Sequence, residues 1–134
     1  MNNLISGNPF IFNENIDIAF LHDMYQDDIG YVEEMFGNIV KELEENLPLA
    51  EAAANAKDLK AFRKAVHKLK PCFGFAGLTT SQARLQRFED VYECTEYSLS
   101  HLLLMEDTLK EIVSAKQLVK TEYLRLKEFN ESRV

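Results

Sequence analysis

Residues 28–47 read DIGYVEEMFGNIVKELEENL, and the spacing within them decides the fold class. Ile29, Val32, Phe36, Ile39, Leu43 and Leu47 recur three or four positions apart, so all six project from one side of an α-helix. A half-buried strand would alternate at period two, and no part of the chain sustains that. Asp27 and Asp28 stand just ahead of the stripe, where a side-chain oxygen can accept from the unpaired N–H groups of a first helical turn. Pro48 follows, and its missing N–H predicts a bend or a restart. The Ala-rich stretch to Ala56 favours helix on either side.

The same reading extends in both directions. Upstream, residues 1–16 have no period and contain Gly7 and Pro9, which predicts a surface leader that packs Phe10 and Phe12. A short helix after Asp17 would bury Ile18, Phe20 or Leu21, and Met24. Downstream, a helix opening at Asp58 carries Leu59, Phe62, Val66, Leu69 and Phe73, with Gly74 and Gly77 marking its end. Thr79 or Thr80 can cap a fourth helix with Leu85, Phe88, Val91 and Tyr92 turned inward. Thr95–Ser100 reads as a loop. A last, long helix repeats Leu102, Met105, Leu109, Ile112, Val119, Tyr123 and Leu126, with Lys116 as a polar intruder. Short connections between amphipathic helices predict an all-α fold, an antiparallel (up-down) four-helix bundle with an additional short N-terminal helix. Residues 1–16 are the leader and 17–134 a single helical domain.

A chain of 134 residues holds one core and leaves no room for a nucleotide-binding module beside it. Any phosphate chemistry must then draw on a phosphate brought by another protein. The start of the chain does not read as a signal peptide, and the longest apolar run, Leu102–Met105, falls far short of the roughly 20 residues a membrane span needs. Cys72 and Cys94 lack paired metal-site spacing. A cytoplasmic protein with reduced thiols, monomeric and without a membrane anchor, is expected. The net charge of −7 argues against nucleic-acid binding through general basicity. That average hides an asymmetry. Lys57, Lys60, Arg63, Lys64, Lys68 and Lys70, against the single acid Asp58, make residues 57–70 a +5 segment on an otherwise −12 chain. A specific anionic partner fits such a patch.

Three histidines are present. His22 sits among acids and His101 at the loop-to-helix junction; neither has ligand spacing to another His or Cys, so no metal site is expected. His67 follows the core residue Val66 by one step of about 100°, which turns it out of the buried stripe. Arg63 and Lys64 lie one turn before it, Lys70 and Pro71 one turn after, and Gly74 two turns after. An exposed imidazole ringed by cations suits an approaching anion, and the glycine leaves space for another protein's backbone.

The stretch from His67 to Leu78, HKLKPCFGFAGL, resembles the histidine-containing phosphotransfer (HPt) family, whose pattern is roughly H-x-L-K-G with glycines beyond it and a Leu-Glu or Leu-Gln pair some 22 residues on. His67, Leu69, Lys70, Gly74, Gly77 and Leu78 match in register, and Phe88-Glu89 falls where the pair belongs. The resemblance spans about residues 17–129. It implies that His67 accepts a phosphoryl group from an aspartyl phosphate on a response-regulator receiver domain and passes it to another receiver, with a hybrid sensor kinase as a further partner. The chain would then be a phosphoryl carrier without kinase activity of its own. By the same carry-over Lys70 and Lys68 balance charge on the phosphoryl oxygens. Arg63, Lys64, Pro71 and Gly74 form the docking face, and Glu89 accepts a hydrogen bond from the imidazole and fixes its tautomer. No cofactor is expected on this chain; the magnesium ion belongs to the receiver.

Two positions depart from the family pattern. Pro71 replaces a small residue and removes the N–H that would bond the His67 carbonyl, which predicts a kink beneath the histidine. Ser81 stands at a usually apolar position. Neither change removes a group the chemistry requires. The competing reading is a helical adaptor, never phosphorylated, that docks a receiver or another acidic protein through the same basic face.

Overall fold

In a computed structural model, residues 10–94 and 99–133 are described. Five helices appear among them and no strand: α1 (Ile18–Tyr25), α2 (Ile29–Asn55), α3 (Leu59–Phe75), α4 (Thr79–Cys94) and α5 (Leu99–Ser132). Aspartates open the first three. The side chains of Asp17, Asp28 and Asp58 accept from the backbone N–H groups of Phe20, Tyr31 and Ala61 at 3.0–3.1 Å, each satisfying a donor that the helix leaves unpaired. Of the two candidates ahead of α2, Asp28 is the cap. Asp27 instead meets His22 Nδ1 at 2.9 Å. At α4 neither threonine caps. Gln82 N–H bonds the Leu78 carbonyl, which puts Leu78 at the cap. Leu78 is buried, so packing rather than polarity chose that residue.

The four long helices close a ring. α2 packs on α3 and α5, α4 packs on α3 and α5, and α3 and α5 also touch. The predicted stripes of α2 and α3 are all buried. Phe36, Phe62, Phe73 and Phe88, fully enclosed, are the largest side chains of one continuous core. Removing apolar surface from water at about 25 cal/mol per Å² is what drives this assembly. Pro48 produces no restart. α2 runs unbroken through it to Asn55, because Leu43, Leu47, Ala50 and Ala53 on either side are held in the core. α3 likewise continues through Pro71 to Phe75.

Three expectations change. In α1 the buried residues are Leu21 and Tyr25, while Ile18 and Met24 are exposed. The helix is turned so that the Tyr25 hydroxyl donates to the Phe75 carbonyl at 2.8 Å. In α5 the buried seam is His101, Met105, Thr108, Ile112, Ala115, Val119, Glu122 and Leu126. Leu102, Leu109 and Tyr123 flank it, half-buried. Phe75, two residues beyond the buried Phe73, is 45% exposed. The predicted loop at Thr95–Ser100 falls partly on residues 95–98, outside the described residues, and α5 has already begun at Leu99.

Residues 10–16 lie across the bundle as a strap. Phe10, Phe12 and Ile16 enter the core. The Asn13 N–H donates to the buried Glu122 carboxylate at 2.7 Å, and Arg125 bonds both Glu122 and the Ile11 carbonyl. The strap then joins α1 at the α3–α4 corner, where Asp17 N–H donates to the Gly77 carbonyl at 2.8 Å. Gly77 has φ +75°, and a side chain there would also meet Ile16 and Leu21.

No helix among the described residues is long and apolar enough to cross a membrane. Cys72 is a buried free thiol, and burial pushes its pKa up to about 11. The thiolate is the nucleophile. Cys72 is therefore expected to resist iodoacetamide at pH 8 in the folded protein and to react on unfolding in guanidinium, with mass spectrometry of the Cys72 peptide as the readout. Rapid labelling under native conditions would contradict that burial.

Candidate functional site

Val66 and Leu69, both fully enclosed, fix the rotation of α3. That rotation turns His67 outward, with its side chain 70% exposed. The imidazole is nevertheless held on one edge. Nδ1 lies 3.0 Å from Glu89 Oε2, and Glu89 itself is only 7% exposed. Glu89 is placed by Leu85 and Phe88, which anchor α4 in the core one turn and one residue before it. Its second oxygen, Oε1, meets Lys70 Nζ at 2.8 Å. Lys70 Nζ also donates to Gln86 Oε1 at 2.6 Å, and Gln86 Nε2 donates to Asp90 Oδ1 at 2.8 Å.

Burial would by itself raise the Glu89 carboxyl, but the hydrogen bonds and charges of Lys70 and His67 outweigh it and hold the group below its ordinary value. Glu89 is thus ionised at neutral pH. A carboxylate only accepts, so the proton of a neutral His67 ring sits on Nδ1 and the lone pair on Nε2, across the ring from the buried acid. Such a ring is an oriented nucleophile. A depressed carboxyl contributes stability above its ordinary value and loses it as pH falls through the folded value. Glu89→Gln is therefore expected to cost about 1–2 kcal/mol at pH 7. The gap from wild type should close between about pH 5 and pH 3, as urea unfolding at several pH values would reveal. A gap independent of pH would contradict the ion pair.

The remaining candidates are distributed around this centre. Lys64, Lys68 and Pro71 are exposed on α3. Arg63 is half-buried, its guanidinium 5.5 Å from the Tyr92 ring centre. Gly74 faces α4: a Cβ there would lie 2.5 Å from Gln82 Nε2, so the missing side chain makes room for Gln82. Ser81 is buried, and its hydroxyl donates to Glu111 Oε2 at 2.6 Å, which satisfies the buried polar group. His101 is buried in the first turn of α5, and His22 is paired with Asp27 at the surface. Sequence reasoning missed Gln86, Gln82 and Asp90. The spacing of Gln86 from Glu89, three residues on one helix face, was the available signal.

The family model for the Hpt domain matches residues 34–125. The chain belongs to the Hpt domain family. Hpt domains are helical bundles that carry histidine phosphotransfer in phosphorelays and interact with receiver domains of response regulators. They are carriers and not catalysts in their own right. In this Hpt domain the matched span takes in most of α2, all of α3 and α4, and α5 as far as Arg125. It includes His67, Lys70 and Glu89, while the strap and α1 lie outside it. No curated protein and no solved structure matches the chain.

Proposed function

We propose that His67 is the phosphorylated residue of a two-component phosphorelay. Its Nε2 accepts a phosphoryl group from a receiver-domain aspartyl phosphate and yields it to another receiver. The observation that carries this reading is the exposed imidazole anchored through Nδ1 on a buried carboxylate. In the transfer the P–O bond to the receiver aspartate breaks, the Nε2–P bond forms, and the aspartate leaves as a carboxylate. The ring, still protonated at Nδ1, becomes cationic, and Glu89 stabilises that charge where it develops. A phosphorylated imidazole that keeps this proton is a good leaving group for the onward step. Phosphoryl transfer asks for in-line positioning and charge stabilisation, and a receiver that brings its own magnesium ion and acidic pocket supplies the other half.

Lys64 and Lys68 meet that acidic pocket, with Arg63, Pro71 and Gly74 bordering the contact. Opposite charge speeds encounter and weakens with salt. The ring of four helices with short connections supports an up-down arrangement, and a bundle that closes its own core supports a monomer. Relay partners of this kind support a cytoplasmic location.

The test is phosphoryl uptake. The protein is mixed with a panel of phosphorylated receiver domains, and bound label is checked for acid lability, base stability and position. Acid-labile label on the His67 peptide is the expected result. Receivers that bind through the basic face but never transfer label would establish the adaptor reading instead.

A further inference from the structure

The register of the family pattern puts Lys70 on the incoming phosphoryl oxygens, yet its surroundings suit another task. The Lys70 side chain is 18% exposed, and its ammonium is drawn to α4, donating to Gln86 Oε1 and forming an ion pair with Glu89 Oε1. Gln86 presents its oxygen to Nζ because its own amide nitrogen is taken up by Asp90. Glu89 divides its two oxygens, one to Lys70 and one to His67. Asp90, Gln86, Lys70, Glu89 and His67 therefore form one continuous polar chain from α4 to α3 and back, ending at the exposed ring.

We infer that Lys70 is a positioning residue: held by Gln86, it fixes the Glu89 carboxylate against His67 Nδ1 and acts on Nε2 only through that carboxylate. The inference rests on the reading of His67 as phosphoacceptor and names what keeps it competent. Without Lys70, a buried carboxylate with one oxygen unpaired rotates or takes up a proton. A protonated Glu89 can donate to Nδ1, which moves the ring proton to Nε2 and removes the attacking lone pair. The exposed Lys64 and Lys68 are left to face the partner.

A small phosphoryl donor tests this without a receiver. With phosphoramidate, the P–N bond breaks, the Nε2–P bond forms and ammonia departs. Rates are compared for wild type, Lys70→Met, Glu89→Gln and the double variant. Each single change is expected to slow labelling about tenfold, as loss of a group that orients a histidine does. The double variant should be no slower than the slower single within about twofold, because the two residues act in series. Lys70→Arg keeps the charge on Glu89 and should recover most of the rate. Losses that multiply toward about 100-fold in the double variant would overturn the inference, since Lys70 would then meet the phosphoryl group directly.

The imidazole nitrogens give an independent readout in the unphosphorylated protein. Two-bond 15N–1H correlation spectra at pH 8 should place the His67 proton on Nδ1 in wild type and spread it toward Nε2 in Lys70→Met. An unchanged tautomer in Lys70→Met would equally overturn the inference. A tautomer that moves as expected in a protein that phosphoramidate never labels would sustain the coupling of Lys70 to His67 and refute the phosphoacceptor reading.

Discussion

Replacing His67 with Gln is expected to lower phosphoryl uptake at least about a thousandfold, to the background of the assay, while leaving the fold and receiver binding nearly intact. The size of the loss follows from chemistry: an amide nitrogen has no available lone pair with which to attack phosphorus. The mildness elsewhere follows from geometry. His67 is 70% exposed and makes one hydrogen bond, to Glu89, that a Gln amide can replace. Surface substitutions of this kind usually change stability by less than about 0.5 kcal/mol. Binding should divide the other way. Charge reversal at Lys64 and Lys68 together should weaken receiver affinity about tenfold at low salt and progressively less as salt is raised. Titration calorimetry alongside label transfer separates the two classes. A His67→Gln variant that still accumulates acid-labile label would place the phosphoryl group elsewhere.

The largest expected loss of stability comes from the aromatic pair beneath the site. Phe62 of α3 and Phe88 of α4 are fully buried, with ring centres 5.1 Å apart in an edge-to-face arrangement. Tyr92 stacks on Phe88 at 6.3 Å, and Arg63 covers Tyr92. Phe88→Ala removes the ring, leaves a cavity and ends an aromatic contact, at a cost of about 3–5 kcal/mol. Against a total of about 5–15 kcal/mol for a domain of this class, that is about a fifth or more. The midpoint of thermal unfolding should fall by roughly 10–20 °C. Because Phe88 adjoins Glu89 in sequence, the surviving folded protein should also hold His67 less firmly. Urea unfolding with an unchanged slope and a displaced midpoint would confirm a pure stability loss. A cost below about 1 kcal/mol would mean the ring pair is not close-packed.

Most of α2 and α3 was legible because apolar spacing and capping aspartates agree there. Each stripe residue of Ile29–Leu47 and Leu59–Phe73 is buried, and Asp28 and Asp58 open the two helices. α5 shows where that reasoning stops. Choosing the most apolar face selects Leu102, Leu109 and Tyr123, whereas the seam carries His101, Thr108 and Glu122. Those residues are buried because each has a polar neighbour. Thr108 donates to the Leu104 carbonyl at 2.7 Å, Glu122 accepts from Asn13 and Arg125, and His101 Nε2 lies 3.4 Å from the Val91 carbonyl. Val91 and Asn13 lie on other segments, so periodicity alone could not reveal the contacts they make with His101 and Glu122. The site divides similarly. Register brought Glu89 into consideration 22 residues beyond His67, and the structure sets the two side chains 3.0 Å apart. Gln86 escaped notice because its three-residue spacing from Glu89 gains meaning only once Lys70 of α3 is known to meet both side chains.

The strap and α1 bear on how portable this domain is. Two carbonyls at the end of α3, those of Phe75 and Gly77, find their donors in Tyr25 and Asp17, and the buried Glu122 finds one in Asn13. All three donors precede the stretch that defines the family, residues 34–125. A chimera that borrowed only that stretch would expose the Phe36 side of the core once covered by Phe12, and would leave the buried Glu122 with Arg125 as its partner and without the Asn13 N–H. The unit that can be moved intact between proteins therefore starts by Phe10, and swapping partners by grafting has to carry the segment that reads least like part of the fold.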